Sequence, residues 1–389
     1  MINVLHLRDT DRVCGPGKTI LETSARIDTS SFNLSIGLIC LDRENVEENL
    51  YLRAARERGV NVFPIRSVHQ YDPRIVKTIK ELIKRENIHI LHSHEYKTDI
   101  LAFLVSKIYD IPIITTCHGW IINSPKSRLL ISVGKRILPF FDKVIAVSPL
   151  IRDEILRYGT SPEKVIQVFN AIVADNYRPG LYEDGLLRRK FDLPSNGILI
   201  GNIGRLSPEK GQKDFLQAAE LICRQDKYDN VYFFLIGDGA DMQELQKLVE
   251  MMGLSSRIFF TGHLQDVRPV YQDLDILALT SYTEGFPNVI LESLCMETAV
   301  AATKVGGVSD IIKDRRTGCL IASHDPEAIA EQLIYLLENP QAARQLALQG
   351  KQMVLEKFEF QRRISIIQTV YDEIMQTALE TRSPAGWKN

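Results

Sequence analysis

Apolar residues along this chain follow two alternating patterns. Runs of strand length, "INVLHL", "LSIGLICL", "VNVFPI", "IHILHSH", "PIITTCH", "KVIAVS" and "VIQVFN", are separated by longer stretches in which apolar positions recur at helical spacing. Near-continuous apolar runs suit strands covered on both faces, and the helices between them supply the crossovers that parallel pairing requires. The pattern predicts an α/β chain with a doubly wound parallel sheet. After "NAIVADNYRPGLYEDG", a stretch of turn formers and charges, the alternation restarts with "GILIGNIGRL", "VYFFLIGDG", "RIFFTGH", "DILALTS" and "AVAATKVGG". A second α/β domain is expected from about residue 178, with the linker just before it.

Composition narrows the function. At 389 residues the chain exceeds what one hydrophobic core fills, which supports two domains. Lys plus Arg number 47 against 49 Asp plus Glu, a net charge of −2, which excludes a nucleic-acid binder working by bulk charge. The six cysteines contain no C-x-x-C pair, so neither a zinc knuckle nor a disulfide framework is indicated, and a reducing cytoplasm fits. Met1 leads directly into "INVLHLRD", and no run approaches the ~18 apolar residues of a membrane span. A cytoplasmic protein, soluble or peripheral on the inner membrane face, is expected.

In "DRVCGPGKTI" the triplet Gly17-Lys18-Thr19 ends like a P-loop, but the glycine required five places earlier is Arg12. What remains is a strand, a loop with Gly15 and Gly17 where backbone could approach a ligand, and then the helical "KTILETSARI". In the second half, "GNIGRLSPEKG" sets Gly204 and Arg205 at a strand end, with Lys210 and Gly211 in the same loop. Arg as a planar fork and Lys as a point charge could clamp a diphosphate, although two such cations are also common on a solvated loop. "SYTEGFPNVILE" turns from a strand into a helix at Gly285 and Pro287, leaving helix-start N–H groups as an anion site. Glu284 stands at that opening, and Glu292 lies ~7.5 Å farther along the axis at the usual helical rise. Two carboxylates at two depths could receive hydroxyls from two parts of a nucleotide sugar; either could instead be an ordinary helix residue.

These motifs together, "GRLSPEKG", the E-x7-E element Glu284 to Glu292, "KVGGVSDII" and the N-terminal glycine loop, resemble the retaining glycosyltransferases of the GT-B fold, family-four group. The resemblance runs from Met1 to about Tyr371. It implies two Rossmann-like domains facing a central cleft: 1–177 on the acceptor side and 178–371 for the nucleotide sugar, with a C-terminal helix of about 372–389 packing back on the first. It implies that Arg205 and Lys210 hold the donor diphosphate and Glu292 the ribose hydroxyls. Glu284, with the backbone of Gly285, Phe286, Pro287 and Asn288, would hold the sugar ring. His118 in "TTCHGW" matches the histidine that reaches the transferred sugar, and Gly15 and Gly17 match the loop near the diphosphate. His92 and His94 follow a strand without a third ligand, so they rank as supporting residues rather than a metal site. The chain departs from the family at Ala171, where Asn-Gly is usual, at "METAVAAT" in place of Gly-x-Pro, and at Asp310 in place of Glu.

The expected reaction is transfer from a nucleotide diphosphate sugar, a UDP-sugar first, to a hydroxyl of a glycan or lipid-linked acceptor in bacterial cell-surface polysaccharide or glycoconjugate synthesis. No metal and no separate cofactor are expected, because Arg205, Lys210 and a helix start can take the leaving-group charge. Asp273-Leu274-Asp275 spells the metal-binding Asp-x-Asp of the other large glycosyltransferase fold, but lies at the entry of its strand. A sugar-nucleotide epimerase and a non-catalytic sugar-nucleotide-binding protein are the competing readings. Finally, "SPKSRLLISVGKRILPFFDK", 124–143, reads as a basic amphipathic helix that would either pack on its own sheet or lie on an anionic membrane.

Overall fold

The computed structural model describes the chain except for residues 12, 43–45, 70–71, 121–123 and 382–389. The P-loop position Arg12 and the last residues of the expected 372–389 helix thus lie outside the described residues.

The chain divides into two compact units, Met1–Asn170 continued by the segment from Gln361, and Ala171–Phe360. The first holds strands β1 (Ile2–Arg8), β2 (Phe32–Leu41), β3 (Asn61–Ser67), β4 (Ile90–Ser93), β5 (Ile113–Cys117), β6 (Lys143–Ala146) and β7 (Val165–Gln167). They form one parallel sheet in the order β3-β2-β1-β4-β5-β6-β7. The second holds β8 (Ile198–Ile203), β9 (Val231–Ile236), β10 (Ile258–Gly262), β11 (Ile276–Leu279), β12 (Ala299–Thr303) and β13 (Cys319–Ile321). These are also parallel, in the order β10-β9-β8-β11-β12-β13. Every apolar run named above becomes a strand. The last strand, β13, is not legible in the sequence because its apolar run, "CLIA", is shorter than the "VIQVFN" around β7 and too short to separate from a helix segment.

Helices begin where the side chains dictate. Ser124 and Ser148 accept hydrogen bonds from the amides of Ser127 and Ile151, and Pro125 and Pro149 fill the first helical turns, where a missing N–H costs nothing. In the second unit Phe215, Phe233, Leu235 and Ile329 close one side of the sheet with no exposed surface.

The domain boundaries move from those expected. The first lies at Ala171, not 178. Ile172 donates its amide to Phe358 O (2.9 Å) and accepts from Phe360 N (3.0 Å), so the turn-rich stretch after Asn170 is tied into the second unit. The return lies at Gln361, not 372. One helix, Phe360–Thr381, carries Ile364, Ile367, Tyr371, Ile374 and Ala378 buried at spacings of three and four, the single stripe a helix lays on a sheet. Within the first unit, Arg363 fixes that helix by donating to Val168 O (3.2 Å) and Phe169 O (2.8 Å).

Candidate functional site

In a doubly wound sheet, loops leaving the carboxyl ends of the two strands at the order reversal run in opposite directions and open a ligand crevice. Those strands are β8 and β11 in the second unit and β1 and β4 in the first.

After β8, Gly204 N donates to Ile236 O (3.0 Å) and Leu206 N to Asp238 O (2.8 Å), so the loop is anchored on the end of β9. Arg205 is exposed, donating to Ser207 Oγ (3.2 Å) and pairing with Glu209. Lys210 Nζ donates to Glu284 Oε1 at 2.7 Å, and Ser281 Oγ donates to the same oxygen at 2.7 Å. Thr280 Oγ1 joins the two loops from beneath, bonding to Lys210 O (3.2 Å) and Gly211 O (3.0 Å). Gly211 has a φ of +63°, and a Cβ there would lie 2.1 Å from Thr280 O, so the crossing needs glycine. Behind Glu284, a Cβ on Gly306 would come within 1.6 Å of Glu284 O, and Gly307 N donates to Gly285 O (3.1 Å). The "KVGG" motif is therefore the backing of the Glu284 loop. Phe286 is buried on the Phe358 ring.

The helix after this loop spans Asn288–Cys295, so Pro287, with an extended ψ of 111°, precedes it rather than opening it. Glu292 is buried. Tyr271 donates its hydroxyl to Glu292 Oε2 at 2.7 Å, and the Tyr177 hydroxyl bonds to the same carboxylate. Burial first, and then the adjacent carboxylate, push both phenols well above their ordinary pKa. An ionised carboxylate offers about four acceptor sites, so two phenols do not exhaust it. Ser281, Tyr271 and Tyr177 were missed in the sequence. Ser281 had a signal, three places before Glu284 in a turn; Tyr177 sat in what reads as linker.

The Asp-x-Asp decoy is structural. Asp273 accepts from the amides of Gly185 and Leu187, both at 2.5 Å, while Asp275 accepts from Leu199 N (2.8 Å) and faces Arg188 (3.6 Å).

In the first unit the expected glycine loop is not a loop. Gly15 and Gly17 lie in the first turn of the helix Gly15–Arg26, because Pro16 presets the helical backbone and Cys14 O takes the Lys18 amide. Gly17 is small for packing: a Cβ would stand 2.9 Å from the Tyr51 ring. Beside it Arg8 is buried, paired with Glu95 and donating to Cys14 Sγ (3.3 Å).

His118 follows β5 and joins a cluster that sequence reading had left incomplete. His92 sits in register with His6 on β1, so the third imidazole thought absent beside His92 and His94 comes from a strand 86 residues earlier. The signal was a histidine inside the apolar "INVLHL". His6 Nδ1 is 2.8 Å from His94 Nε2, and His94 Nδ1 is 3.4 Å from His118 Nε2. Burial lowers all four pKa values, that of His6 to about 3; Arg8 and Arg363 push further down on His6 and His118.

Comparison with known proteins gives the family. The model described as "Glycosyl transferases group 1" matches residues 184–353, and that of "Glycosyltransferase Family 4" matches 33–176. N-acetyl-alpha-D-glucosaminyl L-malate synthase of Bacillus anthracis is 27% identical over 340 residues, 85% of this chain and 86% of that protein. The UDP-Gal:alpha-D-GlcNAc-diphosphoundecaprenol alpha-1,3-galactosyltransferase of Escherichia coli is 22% identical over 311 residues, 78% and 80%. Among solved structures, Anabaena HepE in complex with UDP and glucose superposes with a TM-score of 0.84 at 19% identity, covering 96% of this chain and all of that one, a likeness of fold. With one family model on each unit and the parallel sheets of GT-B neighbours in both, the chain belongs to the family-four glycosyltransferases of the GT-B fold.

Proposed function

We propose that this glycosyltransferase takes a hexose from a UDP-sugar, with retention at the anomeric carbon, and passes it to a hydroxyl of a glycan or lipid-linked acceptor in bacterial cell-surface polysaccharide or glycoconjugate synthesis. The observation that carries the donor side is the pairing of Lys210 with Glu284 beside the exposed Arg205. One cationic fork and one ammonium would hold a diphosphate, and the carboxylate held between Lys210 and Ser281 would accept sugar hydroxyls. In the reaction the bond from the anomeric carbon to the diphosphate oxygen breaks and the acceptor oxygen bonds to that carbon on the same face. The acceptor proton passes to the departing phosphate oxygen. The UDP and glucose in HepE and the UDP-Gal named for the E. coli relative support the donor class. The two relatives' names also span a small hydroxy acid and a diphosphoundecaprenol lipid.

Thermal unfolding with UDP-, GDP- and ADP-sugars tests the donor: a ligand at 100 times its Kd adds about 2.7 kcal/mol. Stabilisation by a GDP- or ADP-sugar alone would replace the base. Conversion of the donor into an epimeric nucleotide sugar without acceptor would make the chain an epimerase. Turnover is expected to persist in EDTA, and magnesium-reversible loss would overturn charge stabilisation by Arg205 and Lys210 alone.

A peripheral membrane position has its own observation. In the helix Pro125–Ile137 and the turn after it, Leu129 (65% exposed), Val133 and Phe140 (59%) face outward rather than onto the sheet, with Lys126, Arg128 and Arg136 exposed among them. Outward apolar residues among cations suit an anionic lipid surface. Lys135, a further cation of this helix, is not available: it is buried, paired with Glu154 and set 4.3 Å over the Trp120 ring. Among the described residues no helix is long and apolar enough to cross a membrane.

A further inference from the structure

The buried histidines are more than a cluster. Thr116 Oγ1 lies 2.8 Å from His92 Nε2, and His92 Nδ1 lies 2.8 Å from the Tyr371 hydroxyl. That hydroxyl lies 3.3 Å from His6 Nε2, His6 Nδ1 lies 2.8 Å from His94 Nε2, and His94 Nδ1 lies 3.4 Å from His118 Nε2. Of these ring nitrogens only His118 Nδ1, at the far end, is without a hydrogen-bond partner among the described residues. Alternation along parallel strands puts these side chains on one face of the sheet, and the helix Phe360–Thr381 lays Tyr371 across it.

We infer that Thr116, His92, Tyr371, His6 and His94 form one directional hydrogen-bonded chain that fixes His118 as its Nδ1–H tautomer, so that His118 meets its ligand as a hydrogen-bond donor and not as a base. A neutral imidazole carries one N–H and one lone pair, and a phenol carries one O–H. Each link therefore has one proton, and the chain has two fully bonded arrangements that differ in direction throughout. In one, Thr116 donates to His92 Nε2, every ring carries its proton on Nδ1, and the donor left over is His118 Nδ1–H, itself enclosed but on a residue that is partly exposed. In the other, every ring carries its proton on Nε2, and the donor left over is the Thr116 hydroxyl, which is wholly buried and makes no second hydrogen bond among the described residues. Each arrangement leaves one enclosed donor, but that of His118 is on a partly exposed residue, where water or a ligand oxygen has a short way in, whereas Thr116 has no exposed surface at all. The first arrangement wins. Burial first, and then the positive charges of Arg8 and Arg363, keep the rings neutral, which the one-proton count needs.

The same geometry argues against a metal ion. His6, His92 and His94 offer ligand atoms within 4.8 Å of one another, yet the His92 and His94 rings are stacked 4.4 Å apart at 21°. Three of the nitrogens a metal would take are the ones that link the chain.

The role of the tautomer rests on the glycosyl-transfer reading, but the test does not. Selective 15N labelling of the eight histidines, assigned through single His→Gln variants, reads tautomers by NMR in the intact protein. All four rings are expected as Nδ1–H at pH 7.5. Tyr371→Phe removes the middle proton, and the downstream rings His6, His94 and His118 are expected to turn to mixtures, whereas His92 keeps its link to Thr116. Thr116→Val should release all four, and Thr116→Ser should restore them, which guards against a variant that merely folds poorly. An Nε2–H ring among the four in wild type, or an unchanged His118 in Tyr371→Phe and Thr116→Val, would overturn the chain. So would stoichiometric Zn²⁺ perturbing His6, His92 and His94 together. A protein with the expected tautomers and no turnover of any nucleotide sugar would refute the transferase reading and leave the chain standing.

Discussion

Lys210 and Glu284 are 74 residues apart in sequence and 2.7 Å apart in the folded second unit. A partly buried ion pair of this kind is weak evidence for stability, because desolvating two charges offsets most of their attraction. Its second oxygen and the exposed Arg205 remain for a ligand, so the pair is better explained as preorganisation. Lys210→Ala and Glu284→Gln are expected to lower kcat/KM for the nucleotide sugar by roughly ten- to a hundredfold, the equivalent of one charged hydrogen bond of about 1.5–3 kcal/mol. Both should keep a wild-type unfolding temperature within a few degrees. Unchanged donor kinetics in either variant would remove the pair from the site.

Glu292 needs a different test because of its two phenol partners. Glu292→Ala leaves Tyr177 and Tyr271 with buried unpartnered hydroxyls and should cost about 1–3 kcal/mol each way it is measured, by urea or by heat. Glu292→Gln keeps one carbonyl acceptor and the volume. If Glu292 also takes ribose hydroxyls, Glu292→Gln raises the donor KM while losing little stability. A stable Glu292→Gln with the wild-type KM would confine the residue to holding the two tyrosines.

The enclosed histidines set the acid limit of stability. His6, His92 and His94 are neutral when folded, with His6 lowered to about 3, while the unfolded chain takes up protons from about pH 6.5 downward. The unfolded state binds more protons in that window, so stability falls as the pH drops below 6.5, by up to about 1.4 kcal/mol per unit for each ring. Asp99 opposes this. Burial raises it to about 7 against two hydrogen bonds, from Ser93 and Thr115, so its folded form is protonated and its contribution is lost as pH rises towards 7. Three rings outweigh one carboxyl. The unfolding temperature should fall steeply between pH 6.5 and 5, and a flat profile there would mean that the rings titrate with their ordinary pKa.

For the outward face of Pro125–Ile137, flotation with liposomes of increasing anionic lipid should recover the wild type at low salt. Leu129→Ser with Val133→Ser removes the apolar contact, and Lys126→Glu with Arg136→Glu reverses the charge; both should lower recovery severalfold. Lys135 is left intact, since its loss would expose Glu154 and act through folding. Recovery of neither wild type nor variants would make the face ordinary protein surface.

The alternation of apolar runs fixed every strand long enough to show a period, and turn chemistry with glycine placed Arg205, Lys210 and Glu284 at strand ends, because these signals are local. Sequence alone could not show that Lys210 meets Glu284, that Glu292 is held by a tyrosine from an apparent linker, or that Gly15 and Gly17 open a helix against Tyr51 rather than a loop. Each of those depends on which residue a crossover brings alongside, and crossover partners have no spacing to read. The histidine chain is the extreme case. His6, His92, His94 and His118 come from three strands and their ends, and Tyr371, 279 residues after His92, comes from a helix. Only parallel register puts them on one face, and only burial there makes the direction of their hydrogen bonds a matter of energy.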